Sequence, residues 1–258
     1  MSTTDAARDA WVIAGRHLTH LRQTPSLLAL TIAQPAFFVL LFNYGFGGAI
    51  RVPGVEHYID YLLPGIVILA IAFGSSQTGV AIAEDVTTGM VERLRALPIA
   101  RPAMFVGRSI ADTARNLGVI AIMAAFGTLL GFRFHNNAVA ALTAVVVALA
   151  LGLAFSWVSA LIGLSVRTPE TAQVATLLVV IPLAFTSSMF VPVATMPGWL
   201  QAFANVNPIT RAVDALRGLT LPDTFDSDLG PAFAWIAVTL ALAIPATIAR
   251  YRHVNTNR

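Results

Sequence analysis

Six long stretches of this 258-residue chain contain no Asp, Glu, Lys or Arg: 23–50, 61–83, 116–132, 134–166, 171–210 and 229–249. A helix crossing a hydrocarbon core of about 30 Å, at about 1.5 Å per residue, needs about 20 apolar residues. Five stretches reach that length. The sixth, 116–132, extends backwards through Met104, Phe105 and Val106 on a charged foot. The economical reading is an all-α, polytopic membrane protein with six transmembrane helices near 27–48, 62–83, 106–132, 138–165, 171–192 and 230–249. A transmembrane barrel would show alternating segments of about ten residues, whereas 145–151 is continuously apolar. The first 26 residues carry Asp5, Arg8, Asp9, Arg16 and Arg22 with no apolar core, which argues against a signal peptide.

Charged residues make up 11% of the chain, where a water-soluble domain has about 25%. A conventional soluble enzyme is excluded, because too little polar surface exists to cover the apolar mass. All sixteen basic residues are Arg. Without Lys there is no orthodox Walker A site, whose Lys reaches the nucleotide phosphates, so any ATP-driven step needs another chain. The absence of Cys excludes disulfides, thiolate metal sites and Cys nucleophiles. With both termini inside, and Arg115 uncounted within the foot of the third helix, eleven Arg fall on the inner side and four, Arg51, Arg133, Arg211 and Arg217, fall outside. The positive-inside rule therefore predicts cytoplasmic termini. No inverted repeat relates the two halves.

The cytoplasmic loop 84–108 is the most informative polar piece. Met90, Val91, Leu94 and Leu97 share one helical face and Glu92, Arg93 and Arg95 the other, between Gly89 and Pro98. This predicts a helix of about two turns that either lies against its own bundle or docks a cytoplasmic partner, since it is too short to stand alone. Arg108, Asp112 and Arg115 follow at i, i+4 and i+7 and read as a solvated, ion-paired helix foot. Residues 6–22 are expected to form an amphipathic helix with Trp11, suited to the inner interface. Ala144, Ala148, Gly152, Ser156 and Ala160 recur every four residues, a ladder for close helix packing within the subunit or between subunits.

Pro35 and Pro182 each remove a backbone hydrogen bond from a span. Gln34 lies beside the first, and the polar clusters 75–78 and 186–188 stand in the second and fifth spans. Such groups serve helix packing or line a conduit whose wall is otherwise apolar, which suits an amphiphilic cargo better than an ion. In the outer segment 193–229, Trp199, Leu200 and Phe203 form a stripe, and a second short helix is expected to start at Pro208. No catalytic constellation is present: there is no H-E-x-x-H, no intramembrane acid pair, and Gly74-Ser75-Ser76-Gln77 fails the G-x-S-x-G elbow. The Arg residues follow topology instead of clustering, so nucleic-acid binding is not expected.

Three motifs carry a family resemblance: Tyr61-Leu62-Leu63-Pro64-Gly65, the run from Gly89 to Pro98 followed by Arg101, and Met196-Pro197-Gly198-Trp199-Leu200 leading into Asn207-Pro208 and Ala215-Leu216-Arg217-Gly218. With them the chain resembles the ABC-2 type permeases, the transmembrane subunits of ATP-binding-cassette exporters, in the daunorubicin/doxorubicin-resistance-like branch. The resemblance spans about residues 20 to 250. It implies an N-terminal interfacial helix (1–26), a six-helix transmembrane domain (27–249) and a cytoplasmic tail (250–258) in the plasma (inner) membrane. It implies a coupling helix at 89–98, with Glu84, Gly89, Glu92, Arg93, Leu94, Arg95, Pro98 and Arg101 meeting the ATPase. It also implies extracellular re-entrant helices in 195–218, around Met196, Pro197, Trp199, Asn207 and Pro208. Two ATPase subunits carrying ATP and Mg, and a second permease copy or a sister permease, are the implied partners beside membrane lipids. This chain itself would hold no cofactor, metal or catalytic residue. Cargo would pass along the first, second and fifth helices, giving Gln34, Phe38, Ser76, Thr186 and Ser188 as candidate lining. The function expected is outward movement of an amphiphilic drug, lipid or polyketide-like molecule. An intramembrane lipid-processing enzyme and a non-transporting scaffold are the alternatives.

Overall fold

The computed structural model describes residues 25–48, 50, 52, 54–90, 103–221 and 229–253. Among the described residues the chain is all-helical and has no strand. Eight α-helices follow in order: α1 Pro25–Phe46, α2 Tyr58–Thr87, α3 Ala103–Leu129, α4 Ala138–Ser165, α5 Pro169–Phe185, α6 Gly198–Val206, α7 Pro208–Thr220 and α8 Gly230–His253. A 3₁₀ turn, Val193–Thr195, precedes α6. Four described helices, α2, α3 from Phe105, α4 and α8, are long and apolar enough to cross a membrane, and α5 is a shorter apolar helix. α1 has 22 residues.

The apolar stretches become helices because nothing polar interrupts them, and their ends follow local chemistry. α4 starts where Asn137 Oδ1 accepts the Ala140 N–H, and α5 where Thr168 Oγ1 accepts the Thr171 N–H ahead of Pro169. α2 stops at Gly89, whose φ of +68° is the left-handed conformation that glycine adopts freely. The fifth helix ends at Phe185, seven residues short of the boundary expected from hydropathy. Pro182 lies in its last turn, and the hydroxyls of Thr186 and Ser187 donate to the carbonyls of Pro182 and Ala184, competing with helix continuation.

α2 is the central helix, packed against α1, α3, α4, α5 and α7. Its register with α4 is set by backbone approach. A Cβ on Gly163 would stand 2.3 Å from the Gly79 carbonyl oxygen, and one on Gly79 would stand 2.7 Å from that of Ser159. The small-residue ladder of α4 is buried within the subunit. Two apolar clusters result. The larger includes Leu62, Ile66, Leu69, Val147, Leu151 and Val213. The smaller joins Ile82, Phe105, Leu164 and Tyr251 at the end of the bundle where α2 stops and α3 begins.

Candidate functional site

α1, α2 and α5 border a groove of about 290 Å³. Gln34, Pro35 and Phe38 come from α1, Leu69, Phe73, Gly74, Ser76 and Gln77 from α2, and Gln173 and Leu177 from α5. Three of the five residues expected along a cargo path, Gln34, Phe38 and Ser76, therefore share one groove. The amides of Gln34, Gln77 and Gln173 are exposed in it and have no hydrogen-bond partner among the described residues. Ser76 is buried, its hydroxyl donating to the Phe73 carbonyl at 2.7 Å. Gln173 carries no motif; the only sequence signal for it is a lone amide in an apolar run.

Thr186 and Ser188 do not border this groove. Thr186 ends α5 at its opposite end, its hydroxyl donating to the Pro182 carbonyl, and Ser188 belongs to a polar knot there, centred on Arg217 of α7, which is 1% exposed. Its Nε donates to the Tyr61 carbonyl at 3.0 Å, Nη1 to the Ser188 carbonyl at 2.9 Å, and Nη2 to the Met189 carbonyl at 2.9 Å. Nη1 also meets Asp214 Oδ1 at 3.3 Å, and the guanidinium stacks 3.4 Å from the Tyr61 ring centroid. The Ser188 hydroxyl donates to Asp214 Oδ1, while the Tyr61 and Tyr58 hydroxyls donate to the Ser188 and Phe190 carbonyls. The knot thus satisfies the backbone that α5 leaves open where it unwinds.

Asn207 and Pro208 set the α6–α7 corner. Asn207 Oδ1 accepts the Ile209 N–H and its Nδ2 donates to the Leu183 carbonyl at 2.7 Å, with Pro208 as first residue of α7. The far end of α7 is held by Asn136, whose Nδ2 donates to the carbonyls of Gly218, Leu219 and Leu221. Pro197 precedes α6, and Gln201 donates to the buried Met196's carbonyl at 2.8 Å. Trp199 is 76% exposed, and Phe203 and Val206 continue its open apolar face.

Of the expected coupling residues, Glu84 and Gly89 are described. The Glu84 side chain is exposed, and its carbonyl accepts the hydroxyls of Thr87 and Thr88 at the end of α2. Glu92, Arg93, Leu94, Arg95, Pro98 and Arg101 lie outside the described residues, as do residues 1–24, with most of the expected interfacial helix, and 254–258.

The charged foot of α3 departs from expectation. Arg108 and Asp112 are buried, and Arg115 is nearly so. Arg115 pairs with Asp112 at 3.3 Å, Thr78 donates to the other Asp112 oxygen at 2.7 Å, and Arg108 reaches the Gln77 carbonyl at 3.2 Å and Asp85 at 4.0 Å. These residues are not a solvated foot. They form a polar layer between α2, α3 and α4, with Ser75 and Ser159 bonded beside it at 3.2 Å. Glycines make the room: a Cβ on Gly74 would lie 3.4 Å from the Arg115 guanidinium, and one on Gly152 would lie 2.6 Å from the Asn116 amide nitrogen. Among the described residues, no group of three His, Cys, Asp or Glu could hold a metal.

Comparison with known proteins accounts for this architecture. The model of the ABC-2 type transporter family matches residues 8–221. The chain is 32% identical to the daunorubicin resistance ABC transporter permease protein of Streptomyces coeruleorubidus, over 93% of this chain and 87% of that protein. It is 26% identical to a probable doxorubicin resistance ABC transporter permease protein of Mycobacterium tuberculosis, over 88% and 82% respectively. A putative transport permease of Cyanophora paradoxa is 23% identical over 82% of this chain and 74% of its own length. A helical bundle with several spans, a groove between α1, α2 and α5, and a family match over most of its length together mark the chain as a membrane permease belonging to the ABC-2 type transporter family.

Proposed function

We propose that this permease is the membrane-spanning half of an ATP-driven exporter that moves an amphiphilic drug, lipid or polyketide-like molecule outward across the plasma membrane. α1 to α5 and α8 are then the six spans. Residues 1–26 lie in the inner interface, both termini are cytoplasmic, and 195–218 forms a re-entrant outer cap. The observation that carries the cargo reading is the groove, whose wall mixes phenyl rings, aliphatic side chains and amides and, among the described residues, has no charged side chain. Such a lining accommodates an amphiphile and gives no coordination shell to a bare ion. Two relatives are named for resistance to daunorubicin or doxorubicin, which supports the same class of cargo.

Energy enters from separate ATPase subunits that bind ATP and Mg, because this chain has no Lys with which to build a P-loop. Two permeases, identical or sister chains, face two such subunits. Segment 89–98 takes the ATPase contact, flanked by Glu84 and Arg101. ATP closure of the partner displaces this segment and rocks the bundles between inward and outward states, the alternation that partner binding biases. Reversing the charge of Arg93 and Arg95 (Arg93→Glu with Arg95→Glu) tests this. Insertion and melting temperature should remain, and ATP-dependent efflux should fall by at least about tenfold, as expected when a docking charge pair becomes repulsive. Unchanged efflux would refute the coupling assignment. Purification with an ATPase whose turnover rises with cargo separates this reading from a lipid-processing enzyme, which would act without a partner, and from a scaffold, which would show neither activity.

A further inference from the structure

We propose that the groove selects cargo by an uncharged, hydrogen-bonding head group, and that Gln34, Gln77 and Gln173 are the residues that make this selection; the proposal rests on the exporter reading above. The first observation is a contrast in how amides are treated. Asn136 donates to three backbone carbonyls, Asn207 to Leu183, and Gln201 to Met196. The three groove glutamines have no partner among the described residues, although all three border the same 290 Å³ space. Three helices each contribute one open amide to one place.

Depth makes this contrast costly. Gln77 is ten residues before the end of α2, and Gln173 is four residues into α5. At about 1.5 Å per residue they stand about 15 Å and about 6 Å along their helices from the same end of the bundle, and Gln34 borders the same groove from α1. On the reading that α1, α2 and α5 span the membrane, an amide left unpaired against lipid is strongly disfavoured. On that reading the groove presents these groups to a polar guest, water in the resting state and a head group in the loaded one.

The kind of head follows from the lining. An amide both donates and accepts, so three of them match hydroxyls, carbonyls or an uncharged sugar. Among the described residues no carboxylate borders the groove for a cationic head. Arg115, behind Gly74, is already paired with Asp112 and does not border the space. Phe38, Phe73 and Leu177 supply the apolar wall for a ring or chain.

The test uses inside-out vesicles from cells expressing the permease together with its ATPase, and three probes. Each is a nitrobenzoxadiazole-labelled dodecyl chain, differing only in head: maltose, trimethylammonium or sulfonate. The maltoside should accumulate with ATP at least about tenfold above the other two, because a site built for hydrogen bonds rejects heads that leave its groups unpaired. Gln77→Leu with Gln173→Leu should lower maltoside accumulation by about tenfold, from the loss of about two net hydrogen bonds. The exposed positions make both changes compatible with folding, which a wild-type melting temperature verifies. Gln77→Glu should move the preference to the trimethylammonium probe. Equal accumulation of all three probes, or a preference that neither variant alters, would overturn the selection while leaving an exporter in place. A Leu variant that changes the dimer–monomer balance, with no head preference in the wild type, would make the groove a subunit contact and also overturn it. ATP-dependent accumulation of none of the probes would overturn the exporter reading itself, and the selection with it.

Discussion

Replacing Arg217 tests whether the knot at the α7 end holds the unwound tail of α5. In Arg217→Met the aliphatic volume is largely kept and the guanidinium is lost. The Ser188 carbonyl retains the Tyr61 hydroxyl at 2.8 Å, and Asp214 retains the Ser188 hydroxyl at 2.7 Å. The Met189 carbonyl loses its guanidinium donor, Nη2 at 2.9 Å, and the Tyr61 ring loses its stacked cation. An orphaned buried carbonyl costs about 1–3 kcal/mol. The charge-assisted bonds and the stacking add about 2–4 kcal/mol. Relief of the buried guanidinium's desolvation offsets part of this. The net loss should be about 2–4 kcal/mol, or about 10 °C in melting temperature for a chain of this size. Arg217→Lys should be no milder, since one ammonium keeps the buried charge but cannot span the Tyr61, Ser188 and Met189 carbonyls at once. The absence of cysteine provides a local reporter. Ser187→Cys places a single thiol at a position 1% exposed. Its alkylation by maleimide should accelerate at least about tenfold in either Arg217 variant, as a loss of about 1.4 kcal/mol in local stability requires. A lysine variant that melts and labels like the parent would refute the claim that the fork geometry matters. Unchanged behaviour in both variants would refute the knot.

Two further outcomes follow from the α2–α3–α4 layer. Asp112→Ala removes the carboxylate that pairs with the nearly buried Arg115, leaves that guanidinium unpaired, and should cost about 3–5 kcal/mol. Adding Arg115→Met should recover at least about 1 kcal/mol in a double-mutant cycle read by thermal melts, because the two residues touch. Gly163→Ala drives a Cβ into the Gly79 carbonyl and should destabilise by about 1–3 kcal/mol. Gly118→Ala, with nothing within 4 Å of its new Cβ, should be neutral or raise stability by up to about 1 kcal/mol through helix propensity. Equal melting shifts for the two glycines would contradict the backbone contact.

Hydropathy located each long helix because apolar continuity is a property of a single segment. It placed the end of the fifth helix badly for the same reason. Val191, Pro192 and Val193 are as apolar as the helix before them, yet the hydroxyls of Thr186 and Ser187 had already turned the backbone away. The start of α7 at Pro208 was legible because a proline cap is likewise local.

Burial of the α3 charges depends on partners and could not be read this way. The i, i+4, i+7 spacing of Arg108, Asp112 and Arg115 fixes a common face, but a solvated foot and a buried layer share that spacing. What separates them lies on two other helices. Gly74 on α2 leaves room beside the Arg115 guanidinium, Gly152 on α4 leaves room beside the Asn116 amide, and Thr78 supplies the hydroxyl that Asp112 accepts. The small-residue ladder on α4 predicts close backbone approach, but the backbones touch at Gly163 and Gly79, outside that ladder. At Gly152 the same kind of residue makes space for a polar side chain instead. A small residue in a span therefore admits either a helix or a side chain. Which one arrives is decided by the facing helix, so a charged helix foot opposite small residues should be weighed as a buried layer from the outset.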